Sequence, residues 1–248
     1  MNLRKWILTL LIALPIAVIL LNHLWIQRFL KPPLPIQQTA RVLIPPFEML
    51  VRYFDFNEKN ALREWGEKMF RGRVIYQLEF ENRDGFIHSK STQSASAIFH
   101  RIKFDVRNYP YLQWKWRVGK FPNKGAAQTP KSQDDFAARV YVIFASRFFT
   151  NFRCVEYVWD ETLLEGTALN SPYSNQIKQL VVQSGPSQLN QWTTERQHVL
   201  EDYEKLFGKK PDMKVSAIAI MTDSEGTETE AEGFFDDIQI GKPRELKP

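Results

Sequence analysis

Tyr111-Leu-Gln-Trp-Lys-Trp-Arg-Val118 alternates apolar and polar side chains without interruption. Side chains on a strand point to opposite faces with a period of two. Leu112, Trp114, Trp116 and Val118 therefore share one face, and Gln113, Lys115 and Arg117 share the other. That is a strand with one face in a core. The pattern returns where Val140, Val142 and Phe144 are interleaved with Arg139, Tyr141 and Ile143, and again where Val74, Tyr76, Leu78 and Phe80 share a face.

Working outward, further strands are expected over residues 86–89, 97–104, 154–159, 178–183, 192–199, 215–221 and 234–240. Turn signals separate them, among them Asn82-Arg-Asp-Gly, Pro122-Asn-Lys-Gly and Ser184-Gly-Pro-Ser. Only residues 57–68 and 200–207 read as helix, the second closed by Gly208. Many short strands between scattered turns describe a mainly β chain, a single jelly-roll-like sandwich of two sheets, and exclude a βαβ order. Its first and last strands are expected to be neighbours.

Residues 6–26 form an apolar run without a charge, with Trp6 and Trp25 near its ends. About 20 apolar residues cross a hydrocarbon core of roughly 30 Å as a helix, and tryptophan suits both interfaces. The run is longer than a secretory signal and no small-x-small cleavage site follows it, so it reads as an uncleaved N-terminal transmembrane helix. Arg4 and Lys5 precede it while Arg28 and Lys31 follow, a slight bias that keeps the short N-terminus in the cytoplasm. Prolines 32, 33, 35, 45 and 46 then make a stiff spacer. The expected organisation is an anchor over 1–30, a proline-rich linker over 31–46, one β-sandwich domain over 47–241 and a tail over 242–248. The expected location is the bacterial inner membrane, single-pass, with the domain in the periplasm or at the cell exterior.

The rest of the composition mostly excludes. The net charge of +5 is not gathered into basic blocks with interleaved aromatics, so nucleic acid is not an expected partner. One cysteine, Cys154, can form no internal disulfide, so the fold rests on its core. His23, His88, His100 and His198 have no zinc spacing. There is no Gly-x-Ser-x-Gly elbow and no glycine-rich phosphate loop. Paired carboxylates for glycoside hydrolysis come together only in three dimensions, so sequence leaves them open.

Several motifs occur together: Asp134-Asp-Phe-Ala-Ala-Arg-Val-Tyr-Val-Ile-Phe, Tyr157-Val-Trp, Asn170-Ser-Pro-Tyr, Val181-Val-Gln-Ser-Gly, Asp202-Tyr, Phe207-Gly and Ala219-Ile-Met-Thr-Asp-Ser. Over about residues 54–241 the chain resembles the bacterial domain of unknown function family 3047. That resemblance implies architecture and little chemistry. More distantly, Phe54-Asp-Phe and Phe235-Asp-Asp-Ile resemble the galactose-binding-like sandwiches of carbohydrate-binding modules and of the complex I intermediate-associated type. By analogy with such sandwiches, a structural calcium would join Asp55 to Asp236 or Asp237. No other cofactor is expected.

Asp135, Arg139, Tyr141, Tyr157, Trp159, Asn170 and Asp223 are the expected ligand-binding residues. Arg139 and Tyr141 leave the core face of their strand, and Tyr157 and Trp159 share a face of another. Asp134 and Asp135 stand at a strand entrance, where they either grip polar ligand hydroxyls or a metal, or pair with Arg139. Rings beside charged groups suit a sugar, whose C–H faces are apolar and whose edges are hydroxyls. The same rings could instead be core. The acidic stretch 223–237 reads as a solvated hairpin.

Three functions fit. The first is a membrane-anchored binding module for a glycan or other hydroxyl-rich envelope ligand. The others are an accessory or assembly subunit that binds another envelope protein, and an envelope polysaccharide hydrolase. The chain leans away from an enzyme because no catalytic signature stands out. The topology has its own test. The mature chain is expected to keep residues 6–26, and protease added to spheroplasts is expected to digest the domain. An N-terminus beyond residue 20 would refute the anchor, and a protected domain would refute the exterior location.

Overall fold

The computed structural model describes residues 46–126, 129–145 and 151–243. The expected anchor, nearly all of the expected linker and the end of the expected tail lie outside the described residues. Among the described residues, no helix is long and apolar enough to cross a membrane.

Among the described residues, thirteen strands form two packed sheets. In chain order they are β1 (Phe47–Phe54), β2 (Trp65–Arg71), β3 (Ile75–Glu81), β4 (Asp84–Thr92), β5 (Ala95–Phe104), β6 (Tyr111–Lys120), β7 (Ala138–Ala145), β8 (Phe152–Asp160), β9 (Ala168–Asn170), β10 (Ile177–Ser184), β11 (Thr193–His198), β12 (Val215–Asp223) and β13 (Glu230–Pro243). One sheet runs β11-β6-β13-β4-β3, with β1 also pairing β13; the other runs β2-β5-β12-β7-β8-β10-β9. All pairings are antiparallel except β8 with β10. The first and last strands are neighbours, Phe54 opposite Ile238 and Phe47 opposite Pro243. Strand β13 thus runs two residues into the expected tail.

The alternation in β6 becomes the core. Leu112, Trp114, Trp116 and Val118 are buried and face Val140, Val142 and Phe144 of β7 and Val155, Tyr157 and Trp159 of β8. Trp114 packs on Tyr157 with ring centroids 5.3 Å apart, and Trp116 on Trp159 at 5.8 Å. The tight β3–β4 turn uses Asn82 and Arg83, both at positive φ (51° and 73°), the backbone that a two-residue turn of this twist requires.

One expected helix is absent. Residues 57–68 hold a single 3-10 turn, Ala61–Glu64, and then enter β2. Leu62 and Trp65, three apart, fit either a helix or one such turn. Tertiary packing decides: Trp65 meets Phe54 and His100, and the strand then pairs with β5. A Cβ at Gly66 would lie 2.7 Å from the Phe99 ring, which would have to shift to admit it. The other helix, α1 (Val199–Phe207), forms with His198 accepting from the Glu201 amide and Gly208 closing it in the left-handed region.

Trp114 is fully buried between the sheets. Trp114→Ala is expected to cost about 3–5 kcal/mol in denaturant unfolding. A loss near zero would move the ring to the surface and overturn the face assignment.

Candidate functional site

The residues that leave the core face of the seven-stranded sheet line up across it in rows. One row holds Lys68, Ala97, Met221, Arg139 and Val158; the next Phe99, Ala219, Tyr141, Glu156 and Gln179; the third Arg101, Ala217, Ile143, Cys154 and Ile177. Alanines 97, 217 and 219 leave the middle of this face low. A cleft of about 510 Å³ lies there, with Phe70, Phe99, Phe152 and Tyr173 also in its lining. Phe70 and Tyr173 are exposed.

One wall is ionic. Arg139, 3% exposed, donates from Nε to Asp223 Oδ1 (2.6 Å) and from Nη1 to Glu156 Oε1 (2.7 Å), and its Nη2 reaches Asp223 Oδ2 and the Asp134 carbonyl. Gln179 Nε2 donates to Asp134 Oδ1 (2.6 Å) and Glu156 Oε2 (3.1 Å), and the Phe136 amide donates to Asp223 Oδ1 (3.0 Å). Burial opposes the Arg139 charge, but the surrounding acidic groups hold its pKa above the ordinary value. Burial pushes the Asp223 and Glu156 carboxyls up while Arg139 draws them back. Behind the wall, Asp135 accepts from the Gly226 amide at Oδ1 (3.1 Å) and the Thr227 amide at Oδ2 (2.6 Å).

The expected site residues separate into groups. Arg139, Tyr141 and Asp223 meet on the cleft, and Asp135 sits just behind them. Tyr157 and Trp159 do not belong there. Both are fully buried in the core, Tyr157 donating to Asp202 (2.8 Å) and Trp159 to the Gly185 carbonyl (3.1 Å). They share a face with each other, but it is the face opposite Glu156, because the tryptophans of β6 claim it. Asn170 lies on the short edge strand β9, exposed and bonded to Lys178, away from the cleft lining.

The stretch 223–237 is not a solvated hairpin. Asp223, Ser224, Glu225 and Asp236 are buried. Of the expected calcium ligands, Asp237 is engaged by Tyr53 and Lys115, and Asp55 accepts from the Asn57 amide (3.4 Å). Burial, with Asp237 close by, lifts Asp236 to about 7.

Glu156, Gln179, Phe99 and the alanine floor lie outside the expected set. Glu156 carries a signal, a lone charge inside the apolar run 154–159, whereas Gln179 follows Lys178 and carries a weaker one. The alanines carry none, since a small residue looks alike at a floor and in a core.

Fold and site define a β-sandwich with a ligand-sized cleft on one sheet. The chain belongs to a protein family of unknown function, DUF3047, whose model matches residues 63–239. No match is found among curated proteins. Structures resembling it include the mannan-recognising carbohydrate-binding module TmCBM27, at 11% identity and TM-score 0.36, covering 79% of this chain and 98% of that one. The non-crystalline cellulose specific module CBM28 resembles it at 10% identity and TM-score 0.39, covering 79% and 97%. The enzymatically active domain of bacteriophage CBA120 tailspike protein 4 does so at 9% identity and TM-score 0.39. There the match covers 75% of this chain and 20% of the tailspike chain.

Burial raises Glu225 to about 7, with Asp135 adding to the shift. A carboxyl whose pKa rises on folding contributes stability that is present below its unfolded value and lost as pH climbs through the folded one. In chelator-treated protein, the melting temperature is expected to carry a falling contribution between pH 4.5 and about 7, and Glu225→Gln is expected to flatten it. An unchanged slope in the variant would show that Glu225 does not bind that proton.

Proposed function

We propose that the chain is a binding module whose cleft holds a glycan or other hydroxyl-rich ligand, presented outside the cytoplasm by the N-terminal apolar run. The observation that carries this reading is the pairing of the two sides of the cleft. Phe99, Tyr141 and the exposed Phe70 and Tyr173 offer ring surface to apolar C–H faces. Glu156, Asp134 and Asp223 retain acceptor capacity beyond Arg139 and Gln179, and accept from hydroxyls. That mixture suits a small-molecule pocket of this size.

Hydrolysis is the weaker reading. Glu156 and Asp223 are held by the same guanidinium, so they stand together on one wall rather than across the cleft. Among the described residues, no histidine lines it. The accessory-subunit reading draws on one feature, the exposed Met69 and Phe70 on edge strand β2. The jelly-roll, galactose-binding-like form of the sandwich and the inner-membrane location belong to this proposal as well.

A glycan array probed with the full chain, followed by calorimetry on any hit, is the test. Tyr141→Ala is expected to weaken binding about fivefold, in line with the ~1 kcal/mol typical of one ring contact. Its melting temperature is expected to fall modestly, because the ring also packs on Ala97 and Met221, so affinity is compared at a temperature where both proteins are folded. No binding by the wild type, or full affinity in the variant, would remove the cleft as the site.

A further inference from the structure

We infer that Asp135, Asp223 and Glu225 bind a hard divalent cation, with calcium the best match, beside the cleft. The three side chains come from distant parts of the chain, the entrance to β7 and the end of β12 with the turn after it. One oxygen of each lies within 4.8 Å of the other two. Two oxygens bound to the same calcium at about 2.4 Å stand no more than about 4.8 Å apart, so the three already have the spread of a coordination shell.

A second observation points to an occupant. Glu225 is 9% exposed, and its Oε2 is buried without a hydrogen-bond partner. An unmet acceptor in that position is costly. The other two carboxylates are anchored, Asp135 by the amides of Gly226 and Thr227 and Asp223 by Arg139 and the Phe136 amide. Each carboxylate has about four acceptor sites, so these contacts leave lone pairs for an ion.

Charge argues the same way. Asp134, Asp135, Glu156, Asp223 and Glu225 are all buried, and among the described residues Arg139 carries the one buried guanidinium. Arg71 donates to the Glu225 carbonyl and pairs with Glu228, so it does not serve that carboxylate. A cation at Glu225 Oε2 answers the unmet acceptor and the excess of negative charge at once. Oxygen-only donors favour a hard ion. This site does not depend on the ligand proposed for the cleft.

The full chain, stripped by chelator, is titrated with calcium chloride at pH 7.5 by calorimetry, with melting followed in parallel. Saturable binding and a raised melting temperature are expected, with affinity at least tenfold lower in Glu225→Gln and unchanged in Asp236→Asn. Tyr173 lines the same cleft as Asp223 and Glu225, so terbium bound there is expected to show tyrosine-sensitised emission that calcium displaces. The terbium measurement uses the wild-type chain, so it tests the site even if Glu225→Gln does not fold. No saturable calcium binding, wild-type affinity in Glu225→Gln, or no displaceable terbium emission would overturn the site. So would a melting temperature that follows pH through about 7 but not calcium, since a proton would then be the occupant.

Discussion

The contact between the β6 tryptophans and the aromatic residues of β8 governs this molecule. Trp114 on Tyr157 and Trp116 on Trp159 join the two sheets through four of the largest fully buried side chains. A strand has two faces and its side chains alternate, so placing Tyr157 and Trp159 inward forces Glu156 outward. Pairing carries the choice to the neighbours. Glu156 stands opposite Tyr141 in β7 and Gln179 in β10, so those residues share the outer face as well. A slip of one residue would send the charges into the core, which ties the cleft's chemistry to the packing on the far side of the sheet.

The outer face then has to accommodate buried charge. A guanidinium and several carboxyl groups at such low exposure are tolerable only when each has partners. Arg139 supplies them in a fork, bidentate to Asp223 and reaching Glu156 and the Asp134 carbonyl, and Gln179 ties Glu156 to Asp134. Beside this network, alanines 97, 217 and 219 decline to fill the space. A preformed polar wall next to an apolar floor is a surface that is already organised before anything touches it.

Legibility follows the range of each interaction. Alternation within one strand is local, so β6, β7 and the outward turn of Arg139 and Tyr141 can be read directly. The helix expected over residues 57–68 fails because its spacing also suits one 3-10 turn, and the packing of Trp65 on Phe54 and His100 is information from elsewhere in the chain. Tyr157 and Trp159 do share one face, as their spacing implies, but which face looks inward depends on what waits across the sandwich. The acidic stretch looks solvated in sequence for the same reason. Its composition is polar, yet the amides and the guanidinium that receive Asp223 and Asp135 are supplied partly from other segments.

The sequence by itself determined that the chain is a β-sandwich and which residues of β6 and β7 face the core. Each of these rests on a period-two pattern or on turn chemistry that acts over a few residues. Only the tertiary structure decided that Glu156 and Gln179 join the network of Arg139 and Asp223, that three alanines open a cleft beside it, and that Tyr157 and Trp159 are core. Those outcomes depend on strand order and register. Both are set by contacts between residues tens of positions apart, where one strand's alternation carries no record of its neighbour.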